Sequence, residues 1–239
     1  MSQKSYPITA YVLHSIPYQD NHQIFQLFSK QIGRLSVIAK GIRGPRSQAR
    51  KANLRPFSEL KLDIVGKSDL KTLTHCELTN PSSEFGICYD QKLLACAYYA
   101  NEVLLRALPE HQEFEAVYSG YQTLLRALPT EQSQAHSLRQ FEWCLLNELG
   151  IAPDFQLDVE NNPIVNDCFY YLSPQAGFNK VSTQDKTGAF AGSSILAIHD
   201  DSIKHDSKET RQIMRLLLQD IIGNQPLQSR KLWRQIPLN

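Results

Sequence analysis

Apolar residues in the first 80 positions, many of them β-branched or aromatic, fall in short runs separated by turn residues, and one run alternates apolar with polar positions, as β-strands do. The predicted strands are residues 8–16, 22–30, 34–42, 57–65 and 70–78. Gly33 and the cluster 66–69 supply turns between strands. In the fourth strand, the apolar residues from Phe57 to Ile64 share one predicted inward face. Five short strands without a long helix between them predict a small antiparallel barrel that ends near residues 80–83.

After residue 83, the apolar residues follow the three- and four-residue spacing of helices. The predicted helices span residues 88–108, 112–128, 133–149 and 207–222, and a short one lies in the C-terminal segment QSRKLWRQ. Pro109, Pro129 and Gly150 end the first three. Residues 151–192 have no clear period, which predicts an irregular insertion between helices.

These patterns predict an α+β protein of more than one domain, with an N-terminal antiparallel β-barrel followed by an α-helical bundle. We expect the barrel domain to occupy residues 1–80 and the helical domain residues 81–239. With 42% hydrophobic and 21% charged residues, the 239-residue chain can bury a core without disulfides or metals. It has no apolar run of the ~20 residues that span a bilayer and no signal peptide, which predicts a soluble, cytoplasmic protein.

Positive charge is concentrated in one stretch of a chain that is almost neutral. The formal net charge is only +1, from 25 basic and 24 acidic residues. Residues 30–71 carry 11 of the basic residues against three acids, a local charge of +8. Within this window, the segment from Lys40 to Arg55 holds six basic residues and no acid. Such an asymmetry is typical of a surface that binds phosphates.

The basic segment is predicted to be a loop at the rim of the barrel, because Gly41, Gly44 and Pro45 interrupt it between two strands. Arginine suits such a rim, since its guanidinium group binds phosphate through two hydrogen bonds. No aromatic residue lies inside the segment, and the nearest ring, Phe57, is predicted to be buried. We therefore expect contacts with nucleic-acid backbones rather than stacking on bases. The alternative is a solvated loop whose charges only aid solubility.

A second basic patch, Arg230, Lys231 and Arg234, lies near the C-terminus, and no acid follows Asp220. It predicts a further phosphate contact, or simply solvated charges that favour a helix end.

Signals of catalysis and of metal binding are weak. The chain has no Gly-x-Ser-x-Gly, phosphate-loop, Gly-x-Gly-x-x-Gly or His-Glu-x-x-His motif, and the acidic cluster after His199 is typical of a polar turn. None of the five cysteines has zinc-ligand spacing, and three lie in apolar segments typical of buried, reduced thiols. We expect a binding protein without a cofactor rather than an enzyme.

Several short segments occur in an order and spacing that resemble one known family. In the first part of the chain they are Val12-Leu13 with Pro17-Tyr18, Phe28 with Gly33-Arg34, Ala39-Lys40-Gly41 and Pro56-Phe57. Further on they are residues 99–105, Leu138-Arg139-x-Phe141-Glu142 with Leu149-Gly150, and Pro226-Leu227-Gln228-Ser229-Arg230. With these segments the chain resembles, nearly end to end, the RecO family of bacterial DNA repair and recombination mediators.

The resemblance implies an oligonucleotide-binding barrel (OB-fold) followed by a helical bundle. It also implies a protein associated with the nucleoid that binds single- and double-stranded DNA, anneals complementary strands and helps to load the recombinase onto DNA coated by single-strand-binding protein. The implied partners are RecR and the acidic, apolar C-terminal tail of the single-strand-binding protein. On this basis we expect DNA contacts from Arg34, Lys40, Arg43, Arg46, Arg50, Lys51, Arg55, Arg230, Lys231 and Arg234, and tail binding by Arg139 with Leu138.

The chain departs from the resemblance at one position. Many members of the family carry a four-cysteine zinc site in the central insertion, whereas this insertion contains only Cys168. We therefore expect no metal. Two other functions fit the barrel and its charge: a protein-interaction scaffold that recruits acidic partners, and an RNA-binding translation or tRNA factor.

Overall fold

The computed structural model describes residues 5–42, 52–80, 90–130, 134–181, 187–199 and 207–234. Contacts group the chain into two compact units, of which the first contains Met1–Thr130 and Pro226–Asn239 and the second Glu131–Gln225. The first unit contains β1 (Tyr6–Tyr18), β2 (His22–Ser29), β3 (Gly33–Ala39), β4 (Glu59–Val65), β5 (Lys71–Leu78), α1 (Gln91–Ala107), α2 (Glu115–Ala127) and α6 (Ser229–Arg234). The second contains α3 (Gln134–Glu148), β6 (Phe169–Ser173), β7 (Gly177–Lys180), β8 (Phe190–Ala191), α4 (Gly192–His199) and α5 (Lys208–Ile222).

The first five strands close into a barrel in the order β1-β2-β3-β5-β4. All neighbouring pairs are antiparallel except β3 and β5, which are parallel. This five-stranded barrel, followed by helices, is an OB-fold with a helical C-terminal part. The predicted fold class is confirmed. The division into domains at residue 80 stays a prediction, and the compact units show that α1 and α2 group with the barrel.

Alternate residues of each strand fill the barrel, as the period of two requires. Phe25 and Leu27 of β2, Val37 of β3 and Leu62 of β4 are among the buried core residues. Phe57 is buried as predicted, but it precedes β4 and has a positive φ of 68°. Its ring lies 4.9 Å from that of Tyr98 in α1 and is not among the residues of the barrel core. The inward face of the fourth strand therefore begins at Leu60.

A β-bulge in β1 changes which side chains face the barrel interior. The pairing with β2 shifts its register between Val12 and His14, so Leu13 is the extra residue. Val12 lies in the core before the bulge, whereas Ser15 pairs with the core residue Phe25 after it. The even-numbered residues of β1 thus change from the inner to the outer face at Leu13.

Helix α1 stabilises this bulge through a buried side chain. The Asn101 amide donates a hydrogen bond to the Leu13 carbonyl oxygen (2.9 Å), and its own carbonyl oxygen accepts one from the Tyr121 hydroxyl. The Tyr11 ring, on the outer face, lies 5.1 Å from that of Tyr121 and 5.4 Å from that of Tyr118. Burial raises the pKa of Tyr11 to about 12, with a smaller contribution from the Glu59 charge. The hydroxyl therefore stays neutral in this contact.

The second unit contains more regular structure than its sequence indicates. Residues 151–168 contain only an isolated bridge between Leu157 and Pro163, but β6, β7 and β8 then form a sheet in the order β7-β6-β8. These strands have two to five residues, too few to show a period in the sequence. The rings of Trp143 in α3, Phe155 and Phe178 pack in series, edge-to-face at 4.8 Å for the first pair and tilted at 5.4 Å for the second. A small aromatic core therefore holds the insertion.

The predicted helices agree with α1, α2, α3 and α5 to within a few residues, and α4 was not predicted. Ser207 caps α5, since its hydroxyl oxygen accepts a hydrogen bond from the Thr210 amide (3.0 Å). Residues 88 and 89, where the first helix was predicted to begin, lie outside the described residues.

The Gly33 position provides a test of how β3 packs against the segment before α2. Gly33 has a φ of 77°, and a Cβ there would lie 1.7 Å from the backbone oxygen of Gln112. Gly41 has a similar φ of 67° but no described atom within 4 Å of such a Cβ. We expect Gly41→Ala to lower the free energy of unfolding by about 1–2 kcal/mol from backbone strain alone. We expect Gly33→Ala to lower it by about 2–5 kcal/mol, because the clash adds to the strain.

Urea unfolding of both variants measures this difference. Equal losses for the two would contradict the close packing of Gly33 against Gln112.

Candidate nucleic-acid interface

The basic segment, predicted to be a loop, lies between β3 and β4, and its described ends are fixed to the barrel, with Ala52 and Asn53 in helical conformation. Arg43, Arg46, Arg50 and Lys51 lie outside the described residues. On either side of them, Ile42 and Leu54 are buried and belong to the barrel core. Lys40 is exposed, two residues before the first of these anchors. The Gly41 amide donates a hydrogen bond to Nδ1 of His22 (3.2 Å), which joins this end of the loop to the β1–β2 hairpin.

Arg55 lies at the other end of the loop, close to the barrel wall. Its backbone amide donates to the Asn53 carbonyl oxygen (2.8 Å), and Pro56 forms an isolated parallel bridge with Val12. The Arg55 side chain is half-buried. Its role as a DNA contact stays a prediction.

Arg34 has a packing role that its sequence position does not indicate. Its Nε donates to the Leu108 carbonyl oxygen (2.9 Å), and its Nη1 lies 3.1 Å from Oε1 of Glu110. The Arg34 carbonyl oxygen in turn accepts from the His111 amide (2.8 Å). The guanidinium group therefore joins β3 to the α1–α2 connection, and its predicted contact with DNA is untested.

The C-terminal basic patch lies on α6, and α1 holds the start of that helix. The Glu102 carboxylate accepts hydrogen bonds from the Gln228 amide and from the amide and hydroxyl of Ser229, each 2.9 Å long. Arg106 pairs with Glu102 at 2.6 Å and donates to the Pro226 carbonyl oxygen. A carboxylate at a helix N-terminus satisfies unpaired amides and complements the helix dipole.

The exposed end of this arrangement carries the predicted cations. Arg230 and Lys231 are exposed on α6, and the Arg234 side chain lies outside the described residues. Burial alone would raise the pKa of Glu102, but the hydrogen bonds from Ser229 and Gln228 and the Arg106 charge outweigh it and lower that pKa. Glu102 is therefore ionised at neutral pH and keeps α6 docked.

Comparison with known proteins adds independent evidence. The family model described as "Recombination protein O N terminal" matches residues 1–82, and "Recombination protein O C terminal" matches residues 88–230.

The chain belongs to the RecO family.

Named relatives extend this finding over nearly the whole chain. The DNA repair protein RecO of Alteromonas mediterranea is 38% identical over 234 residues, which cover 96% of this chain and 97% of the relative. The protein of the same name from Tolumonas auensis is 36% identical and covers 94% and 93% of the two chains. That of Coxiella burnetii is 34% identical, with 93% and 95% covered. The resemblance deduced from short segments is confirmed.

Two of the segments that carry the RecO resemblance, 99–105 and 226–230, meet in the fold. Glu102 belongs to the segment 99–105, and Gln228 and Ser229 belong to the segment 226–230. In the sequence, Glu102 stands out only as part of the pattern 99–105, and its role at α6 was not predicted. Its spacing to Arg106, four residues on in a helix, signals an ion pair, whereas its contact with α6 spans more than 120 residues and has no local signal.

The predicted tail-binding residues lie on α3, in the second unit. Leu138 is buried, and Nη2 of Arg139 lies 2.8 Å from Oε1 of Glu142. The Arg139 side chain is 12% exposed and that of Glu142 is 0% exposed. Any anion that binds Arg139 must therefore share its guanidinium group with a buried carboxylate.

Within the described ranges, no three His, Cys, Asp or Glu side chains cluster as metal ligands would. Cys96 is buried as predicted, while Cys144 and Cys168 are half-buried. Burial, aided by the Glu148 charge, raises the pKa of the Cys144 thiol, which is typical of an unreactive cysteine. In the same described ranges, no helix combines the length and apolar character needed to cross a membrane.

The contact between Glu102 and α6 predicts a pH-dependent stability. Because the folded state lowers the pKa of Glu102, its ionised form contributes stability above about pH 4.3, the ordinary value. This contribution is lost as the pH falls through the lowered value. We expect Glu102→Gln to reduce the free energy of unfolding at neutral pH by about 1.5–3 kcal/mol, as for hydrogen bonds to a charged group.

Urea unfolding across a pH series measures the difference in free energy of unfolding between the unmodified protein and Glu102→Gln. This difference should shrink as the pH falls below about 4.3. Hydrogen exchange should show faster opening of residues 226–234 in the variant. Glu115→Gln is the matched control, because that carboxylate is 74% exposed and 3.4 Å from Lys30, and should change stability by less than about 1 kcal/mol. A loss of stability in Glu102→Gln that does not depend on pH would contradict the role of the ionised Glu102 carboxylate in holding α6.

Proposed function

We propose that this RecO-family protein is a mediator of DNA repair and homologous recombination, and not an enzyme. It binds single- and double-stranded DNA, anneals complementary strands and, with RecR, helps to load the recombinase onto DNA coated by single-strand-binding protein. The observation that supports this most is the six-cation segment from Lys40 to Arg55, in which Ile42 and Leu54, close to its two ends, are buried in the core of an OB-fold barrel. We place this activity in the cytoplasm, at the nucleoid.

Annealing needs a surface that reduces the repulsion between two phosphate backbones. Lys40, Arg55 and the four cations between them supply positive charge over a short length of chain. Binding to this charge releases counterions from DNA, and base pairing then provides the free energy that joins the strands. If about six phosphates are neutralised, log K should fall with log salt at a slope of roughly −4 for single strands.

Further contacts belong to the same proposal. Arg230, Lys231 and Arg234 extend the DNA surface, with α6 kept on the first unit by Glu102. Arg34 and Arg55 add contacts with DNA where their side chains reach its phosphate backbone. The helical part, residues 81–239, binds the protein partners, with Arg139 beside Leu138 for the tail of the single-strand-binding protein.

Charge reversal tests the DNA-binding segment. We expect replacement of Arg43, Arg46, Arg50 and Lys51 by Glu to abolish binding and annealing of DNA, because attraction to phosphates becomes repulsion. The matched control replaces four exposed lysines elsewhere, namely Lys61, Lys92, Lys180 and Lys208, with the same change in net charge. Binding is measured by fluorescence anisotropy at several salt concentrations, and folding by circular dichroism.

The same titrations separate the alternatives. Full annealing in the loop variant, or equal losses in loop and control variants, would contradict the proposal. Salt-dependent binding with a strong preference for RNA of the same sequence would favour an RNA-binding factor, and no binding to either polymer would favour a scaffold.

Tail binding by Arg139 requires a test that allows for its buried partner. Arg139→Ala alone would leave the Glu142 carboxylate without this cation, at a cost of about 3–5 kcal/mol in stability. The double variant Arg139→Gln/Glu142→Gln removes both charges, whereas Glu142→Gln alone keeps the guanidinium group. With a peptide of the tail, we expect the double variant to bind about 10- to 150-fold more weakly than Glu142→Gln, from the loss of a charge-assisted hydrogen bond. Equal affinities would exclude Arg139 as the site.

A further inference from the structure

The β1–β2 hairpin carries large apolar side chains at its solvent-exposed end. Beyond the bulge at Leu13, pairing continues from His14 opposite Gln26 to Tyr18 opposite His22. At this end Ile16 is 47% exposed and Tyr18 is 42% exposed, whereas Phe25, on the opposite face of the hairpin, is buried in the core. An aromatic ring left in water at the end of a hairpin is available for a ligand.

The register places these side chains on one outer face. Ile16 is opposite Ile24, and Ile24 is opposite Ile38 of β3, which forms an apolar row across three strands. The next row begins with Tyr18 and His22. We call Ile16, Tyr18, His22 and Ile24 the hairpin face.

The hairpin face adjoins the start of the basic loop. Gln23 pairs with Ala39, so the chain leaves β3 beside His22. The hydrogen bond from the Gly41 amide to Nδ1 of His22 fixes this neighbourhood, and exposed Lys40 lies between Ala39 and Gly41. The turn of the hairpin contains one carboxylate, Asp20, against the six cations of the loop.

An exposed ring close to the exposed Lys40 matches the chemistry of an unpaired nucleotide. Aromatic side chains stack on exposed bases of any sequence, while cations bind the adjoining phosphates. A duplex offers only its phosphates to such a surface, because its bases are stacked on one another. The hairpin face therefore complements a single strand more than a duplex.

We propose that Tyr18 is a stacking platform for an unpaired base of a single strand whose adjoining phosphate contacts Lys40. This inference rests on the proposed DNA-binding function and deepens it. It replaces the expectation of backbone contacts alone, because Tyr18 is far from Gly41 in sequence, whereas its strand partner His22 is hydrogen-bonded to the Gly41 amide. Stacking gives single strands a preference over duplex that charge alone does not provide.

The test compares Tyr18→Ala with Tyr18→Phe in the full chain, at one salt concentration. We expect Tyr18→Ala to bind oligothymidine about 5- to 150-fold more weakly, which corresponds to the loss of one stacked base. Binding to a duplex of the same length and the salt slope for single strands should not change, because no charge is lost. Tyr18→Phe keeps the ring and should bind like the unmodified protein.

An abasic strand of the same length makes the assignment specific. It keeps the phosphates and lacks the bases, so the unmodified protein and Tyr18→Ala should bind it equally. An equal loss on duplex, abasic and normal strands, or no loss on any of them, would overturn the role of Tyr18 and leave DNA binding intact. Absence of salt-dependent DNA binding in the unmodified protein would instead overturn the proposed function, and this inference with it.

Discussion

The hydrogen bond from Asn101 to the carbonyl oxygen of Leu13 supports the arrangement on which the rest of the first unit depends. A bulge leaves backbone groups unpaired within the sheet, and a buried unpaired carbonyl is costly. With this bond in place, β1 directs Tyr11 towards the helices before the bulge and Ile16 and Tyr18 towards solvent after it. In a regular strand, either Tyr11 or the pair Ile16 and Tyr18 would point into the barrel, since a shift of one residue exchanges the two faces. One helix side chain thus stabilises both the packing of the barrel on α1 and the exposure of the hairpin face.

Charge is presented on the same scaffold. The cationic segment has no acid of its own, and a segment with this composition gains little from burial. Its flanks are nevertheless fixed, because Ile42 and Leu54 belong to the barrel core and Gly41 bonds to the hairpin. At the C-terminus, Glu102 holds α6 in a comparable way and leaves Arg230 and Lys231 exposed. In both cases buried or paired residues fix the backbone beside exposed cations (Lys40, Arg230 and Lys231), which is what a phosphate-binding surface needs.

The sequence predicts this fold well where regular periods repeat. The strands and long helices were found because Leu60, Leu62 and their equivalents recur at the spacing that each element requires. The bulge at Leu13 was missed, since it interrupts the period by one residue and depends on Asn101, far away in the chain. Arg34 was assigned to DNA by its charge, while its hydrogen bond to Leu108 could not be predicted from local sequence. Tyr18 was overlooked because the search for rings followed the chain, whereas the barrel brings together segments that are distant in sequence.

The Lys40–Arg55 segment on this barrel is proposed to serve DNA annealing. This is tested by the rate at which complementary DNA strands, each coated by single-strand-binding protein, pair in the presence and absence of this protein. We expect a marked acceleration that disappears when Arg43, Arg46, Arg50 and Lys51 are replaced by Glu. An unchanged rate with the unmodified protein, or full acceleration by that variant, would contradict it.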